Sequence, residues 1–241
     1  MTDDISQFSI APQKPTRERP LLGATVLVVE DSRFASEAVR LLCLRSGARI
    51  RRADTLASAH RHLKVYRPTA VIVDLGLPDG SGLELIRDLH QSDTRVPVLL
   101  ATSGDPVSED IAMEAGADGF IQKPITSLAA FQQAILARLP EEEQPMGPRA
   151  VSADVISPDP LALRDDLAHV ADVLSTGEDD PGMLDYVAQF LGSVAQCASD
   201  APLAEAAAGL ADARAAGEGG GSEAAAISKL VAHRLEGTVA L

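Results

Sequence analysis

The chain has little cysteine: two residues in 241, Cys43 and Cys197, far apart in sequence. That scarcity excludes a disulfide framework and a cysteine-rich zinc site, and it points to a reducing compartment. No apolar run approaches the roughly 18 residues that a membrane span needs. The first residues, MTDDISQFSIAPQKP, are too polar for a secretory signal, so a soluble, cytoplasmic protein without a membrane partner is expected. Basic residues are scarce in one region. Residues 140–241 hold 5 Lys and Arg against 18 Asp and Glu, so nearly all of the formal charge of −14 lies there. Binding to a phosphate backbone depends on Lys and Arg displacing condensed counterions, and this imbalance argues against a nucleic-acid-binding second half.

What is present divides the chain. Residues 1–22 show no periodicity and carry three prolines, which predicts a mobile leader. From Thr25 onward short runs rich in Val, Ile and Leu recur: TVLVVE, AVIVD, VPVLLAT and GFIQK, with ARIRRA as a weaker case. Runs apolar on both faces suit buried parallel strands. Between and after them lie stretches with helical spacing: FASEAVRLLCLRSG, which ends at Gly47 as a C-cap, TLASAHRHLKVYRP, SGLELIRDLHQS, SEDIAMEAG and SLAAFQQAILARL. Strand and helix alternate five times, which implies an open, doubly wound α/β fold with a five-stranded parallel sheet.

In such sheets ligands bind beyond the carboxyl ends of the strands. Here those ends carry Glu30-Asp31, Asp74, Thr102-Ser103 and Lys123-Pro124. Singly, each has an ordinary structural role open to it, as helix cap, turn residue or surface charge. Together they make a site. Carboxylates gathered at one edge raise one another's pKa unless a cation sits among them. Hard oxygen ligands without His or Cys favour Mg2+, and a lysine and a hydroxyl complete a place for a phosphoryl group, with Asp74 as nucleophile.

The motifs VLVVEDS, VIVDLGLPDGSGLELI, PVLLATSGD and ADGFIQKPI resemble those of the CheY-like receiver domain of two-component response regulators, over residues 23–139. The resemblance implies a flavodoxin-like receiver in which Asp74 accepts phosphate from a sensor histidine kinase or a phosphotransfer protein. It implies that Glu30, Asp31 and Asp74 hold Mg2+ with the backbone carbonyl of Gly76. By the same resemblance Thr102 follows the phosphoryl group, Lys123 pairs with it, Phe120 is the aromatic switch position, and the bond before Pro124 is cis. Gly76 and Gly104, two positions beyond Asp74 and Thr102, bring no side chain to shield or steer a water there.

Residues 140–160, with five prolines and a charge run, predict a linker. Residues 161–241 are acidic and alanine-rich and predict a smaller all-α helical module. AHRLEG, 232–237, weakly resembles the A-H-x-L-K-G motif of histidine phosphotransfer domains in a truncated form. Glu236 stands where that motif has lysine, and Leu241 comes before the two helices that follow it in that family. His233 is therefore a secondary candidate for phosphotransfer. The expectation is a response regulator that is not an enzyme beyond its own phosphorylation and dephosphorylation, and that signals through protein contacts: an output protein the sequence does not name, or a homodimer. The alternatives are a phosphorelay protein passing phosphate through His233, and a transcription regulator.

Overall fold

The computed structural model describes residues 14–105, 107–147, 152–176 and 181–237. Its first body is a parallel sheet of β1 (Thr25–Val29), β2 (Arg49–Ala53), β3 (Ala70–Asp74), β6 (Val98–Ser103) and β7 (Gly119–Gln122) in the order β2-β1-β3-β6-β7. A two-residue ribbon, β4 (Gly76–Leu77) with β5 (Gly80–Ser81), lies beyond the end of β3. The helices are α1 (Arg33–Ser46), α2 (Leu56–Val65), α3 (Gly82–Gln91), α4 (Ser108–Glu114) and α5 (Leu128–Leu136). This is the doubly wound architecture that the alternation implied, in the flavodoxin-like form that the resemblance implied. The weaker run ARIRRA is the edge strand β2, and its partly exposed position explains its charges.

Side chains alternate across the sheet because strand residues point to opposite faces in turn. Val26, Val28, Ile72, Val98 and Leu100 meet Val39 and Leu42 of α1 and Phe131 and Ile135 of α5. Leu27, Val29, Val71, Val73, Leu99 and Ala101 meet α2, α3 and α4 through Leu56, Ala59, Leu85, Ile86 and Ala112. Helix α1 starts at Ser32, whose hydroxyl accepts from the Ala35 N–H. It stops at Gly47, which takes a left-handed φ of 84° and donates to the Cys43 and Leu44 carbonyls.

Two segments expected to be loose are packed. Residues 14–22 belong to the predicted leader, yet Leu21 is buried against the α1 and α5 face, and its N–H donates to the Ser46 carbonyl at 2.9 Å. The apolar side chain outweighs the neighbouring prolines. Within the predicted linker, Val155 bridges Ser127, the Ile156 N–H donates to Thr126 at 2.8 Å, and Ile156 enters the same core. Residues 1–13 of the leader and 148–151 of the linker lie outside the described residues.

The second body is helical: α6 (Pro160–Thr176), α7 (Pro181–Ala198), α8 (Ala201–Ala215) and α9 (Gly221–Gly237). Each packs on its sequence neighbours and α6 closes the ring onto α9, around Val170, Leu174, Val187, Leu191, Leu210, Ile227 and Val231. Asp200 caps α8 by accepting from the Leu203 N–H and ties it to α9 through Arg234 at 2.5 and 2.8 Å. Helices α6 and α7 rest on α1, which brings the second body to the carboxyl edge of the sheet.

Candidate functional site

The strand order reverses between β1 and β3, and the crevice this leaves at their carboxyl ends is where such sheets present chemistry. Glu30 and Asp31 follow β1, Asp74 ends β3, Thr102 lies near the end of β6, and Lys123 follows β7. Parallel register places Asp74 beside Thr102, and Thr102 beside Ile121. The five side chains converge because each terminates a strand whose interior is fixed by burial on both faces.

At the centre is Lys123. Its Nζ lies 2.6 Å from Glu30 Oε2 and 2.8 Å from Asp74 Oδ2, and only 1% of its side chain is exposed. Each of Glu30, Asp31 and Asp74 offers a carboxylate oxygen, and the three oxygens lie within 4.8 Å of one another. This hard, all-oxygen donor set fits a small divalent cation such as Mg2+. The Lys123-Pro124 bond is cis. Thr102 Oγ1 donates to the Ile121 carbonyl at 2.7 Å, and the Gly76 N–H makes a long 3.4 Å approach to Asp74 Oδ1. Phe120 is half-buried and packs against the core on the α3 and α4 side.

The electrostatics follow from crowding in a dry place. Burial, then the charge of Asp74, pushes Glu30 well above the usual carboxylate range, although Lys123 opposes the shift. Burial and Asp74 likewise push Asp31 up to about 7. Burial alone would pull Lys123 down, but the charges of Asp74 and Glu30 outweigh it and hold the ammonium above its ordinary value. The cluster therefore gathers more carboxylates than one ammonium pairs with, and Glu30 and Asp31 hold protons more tightly than free carboxylates do.

The second body covers this edge, an arrangement no local sequence signal announced. Tyr186 Oη donates to Asp31 Oδ2 at 3.0 Å, and Lys123 Nζ donates to Ser193 Oγ at 3.0 Å. Asp166 accepts from Ser32 Oγ at 2.7 Å and from the Arg33 and Phe34 N–H groups at 2.8 and 3.0 Å. Gly76 and Gly104 gain a concrete role: a Cβ on either would collide with the amide of Gln189 or Gln196 on α7. His233 is not brought to the site. It is exposed on α9 and does not line the cavity that reaches Asp74.

Residues 26–135 match the response regulator receiver domain family. That segment is a receiver domain. The chain is 39% identical over 100 residues to the KDP operon transcriptional regulatory protein KdpE of Escherichia coli strain K12, covering 41% of this chain and 44% of that one. It is 33% identical over 133 residues to the response regulator MprA of Mycobacterium sp. strain KMS, covering 54% and 58%. The chain thus spans about half the length of the curated relatives it matches. Among solved structures, the CheY-like response regulator receiver domain from Methylobacillus flagellatus aligns with a TM-score of 0.42 and 29% identity, covering 46% of this chain and 98% of that one. The family match falls within the first body. Among the described residues no helix is long and apolar enough to cross a membrane.

Proposed function

We propose that this protein is a cytoplasmic response regulator that accepts a phosphoryl group on Asp74 from a sensor histidine kinase or phosphotransfer protein. The observation that carries the reading is Lys123 Nζ held between Glu30 and Asp74, with Thr102 in register beside Asp74. In the transfer, an Asp74 carboxylate oxygen attacks phosphorus, the new P–O bond forms as the P–N bond to the donor imidazole breaks, and the imidazole leaves. Lys123 supplies a fixed positive charge for the incoming oxygens, and Thr102 Oγ1 exchanges its bond to the Ile121 carbonyl for one to the phosphoryl group. Mg2+ would be held by Glu30, Asp31, Asp74 and the Gly76 carbonyl, and when bound it neutralises charge on the phosphoryl oxygens. Phe120 serves as the aromatic switch. The chain catalyses nothing beyond its own phosphorylation and dephosphorylation.

Output runs through protein contacts, to a partner protein or a second copy. Several relatives are named as transcriptional regulators, but the acidity of residues 140–241 opposes DNA binding in this chain. The test is incubation with Mg2+ and acetyl phosphate, with phosphoryl uptake measured by intact mass. Wild type should take up one group and Asp74→Asn none; absence of uptake by wild type would refute the proposal.

A further inference from the structure

The atoms that α6 and α7 hold are those the phosphoryl chemistry needs. Tyr186, Gln189, Ser193, Gln196 and Cys197 form one stripe of α7, at helical spacings of three, four, three and one. The Tyr186 hydroxyl occupies Asp31 Oδ2, Ser193 takes a hydrogen bond from the same Lys123 Nζ that faces Asp74, and the two glutamine amides fill the space above Gly76 and Gly104. Asp166 pins α6 to the start of α1 through three hydrogen bonds. Among the described residues no buried side-chain nitrogen or oxygen lacks a partner, so the closed arrangement satisfies itself without a ligand. Beside a smaller recess of about 400 Å³ at Glu30, Asp31 and Asp54, open space remains in a cavity of about 830 Å³ with Asp31 and Asp74 on one side and alanines of α8 on the other. A small phosphodonor fits a space of that size; a helix bundle carrying phosphohistidine does not.

We infer that the carboxyl edge of the receiver is a binding surface for the chain's own α6–α7 pair, and that this pair competes with a phosphoryl group and its divalent cation for Asp31 and Lys123. The inference rests on Asp74 being the phosphoacceptor. In the closed form Tyr186 and Ser193 are the ligands of those two residues. A phosphoryl group on Asp74 brings nearly two negative charges and takes the lysine, while a cation takes Asp31, and α7 must then retreat. Linkage makes the competition reciprocal: whatever loosens α7 also strengthens cation binding and speeds phosphoryl uptake. Retreat uncovers the α7 stripe and the face of α1, which in the closed form are unavailable to any protein.

Cys197 reports the event. It lies on the covered side of α7 against Phe34, Ala38 and the Lys123-Pro124 segment, whereas Cys43 sits in the receiver core. The experiment follows maleimide modification of both thiols in the full chain by mass spectrometry, with Mg2+ alone and with Mg2+ plus acetyl phosphate. Phosphoryl uptake is measured in the same samples. Cys197 modification should accelerate about tenfold on phosphorylation, Cys43 should stay slow, and Asp74→Asn should show no acceleration. Tyr186→Phe, with an unchanged circular dichroism spectrum, should modify faster at Cys197 before any phosphoryl group is added. Uptake at Asp74 with no change at Cys197 overturns the competition while leaving the phosphoacceptor reading intact. Parallel acceleration at Cys43 would mean unfolding and also overturns it. No uptake at all removes both.

Discussion

Replacing Lys123 with methionine keeps the aliphatic bulk and deletes the ammonium. In the metal-free protein this leaves Glu30 and Asp74 without the charge that now lies 2.6 and 2.8 Å away, with Asp31 beside them. Breaking a fully buried ion pair from one side costs about 3–5 kcal/mol, because the remaining charges stay buried without compensation. At about 4–8 °C per kcal/mol for a domain near 100 residues, the receiver transition should fall by at least 12 °C or so. The loss should be greatest near pH 8, above the value of about 7 to which burial and Asp74 push Asp31, and smaller near pH 5.5, where Asp31 holds its proton. Mg2+ should recover much of it at pH 8, since a cation in the carboxylate cluster substitutes for the missing one. Scanning calorimetry in EDTA and in Mg2+ at both pH values measures all of this. A loss below about 1 kcal/mol in EDTA at pH 8, or a loss indifferent to Mg2+, would refute the view that Lys123 is the cluster's resident counter-charge.

Three further outcomes are expected. In metal-free wild type, Asp31 rises from its ordinary 3.8 to about 7, so the folded chain binds its proton more tightly than the unfolded chain does. The resulting stabilisation is complete below about pH 4 and is lost as pH rises through 7, so the melting temperature in EDTA should decline over that window and decline less in Asp31→Asn. Gly82→Ala places a Cβ into the carbonyl oxygen of Asp74 and should cost about 1–3 kcal/mol or more in urea titrations, with slower phosphoryl uptake; an unchanged midpoint would show that the turn can relax. His233→Ala, at an exposed position away from the cavity, should leave uptake at Asp74 within error of wild type, and a marked drop would restore a role for that histidine.

The receiver was legible because its signals are local and redundant. Strand interiors such as Val26–Val29 and Ala70–Val73 are apolar on both faces, and each run ends on a charged or hydroxyl residue, so sheet and site were written in the same segments. The contacts that cover the site were not legible. Tyr186 meets Asp31 across 155 positions and Asp166 meets Phe34 across 132, and neither has a spacing or periodicity that distinguishes it from a solvated residue on an acidic helix. Leu21 and Ile156 were hidden for a related reason. A single apolar side chain among prolines reads as loop, and only the groove that receives it makes it core. The two-residue ribbon after β3 is too short to show the alternation that betrays a strand.

Helix α1 does not finish its own beginning. Ser32 accepts from Ala35, but the Arg33 and Phe34 amides are satisfied by a carboxylate supplied more than 130 residues later. During synthesis the receiver sequence therefore leaves the ribosome before the residue that completes one of its helices exists. Until Asp166 arrives, those amides face water at the positive end of the helix. A change at position 166 therefore shows itself as a defect at positions 33 and 34, next to Asp31, whatever side chains those two positions carry, because the bonds are to their backbone amides.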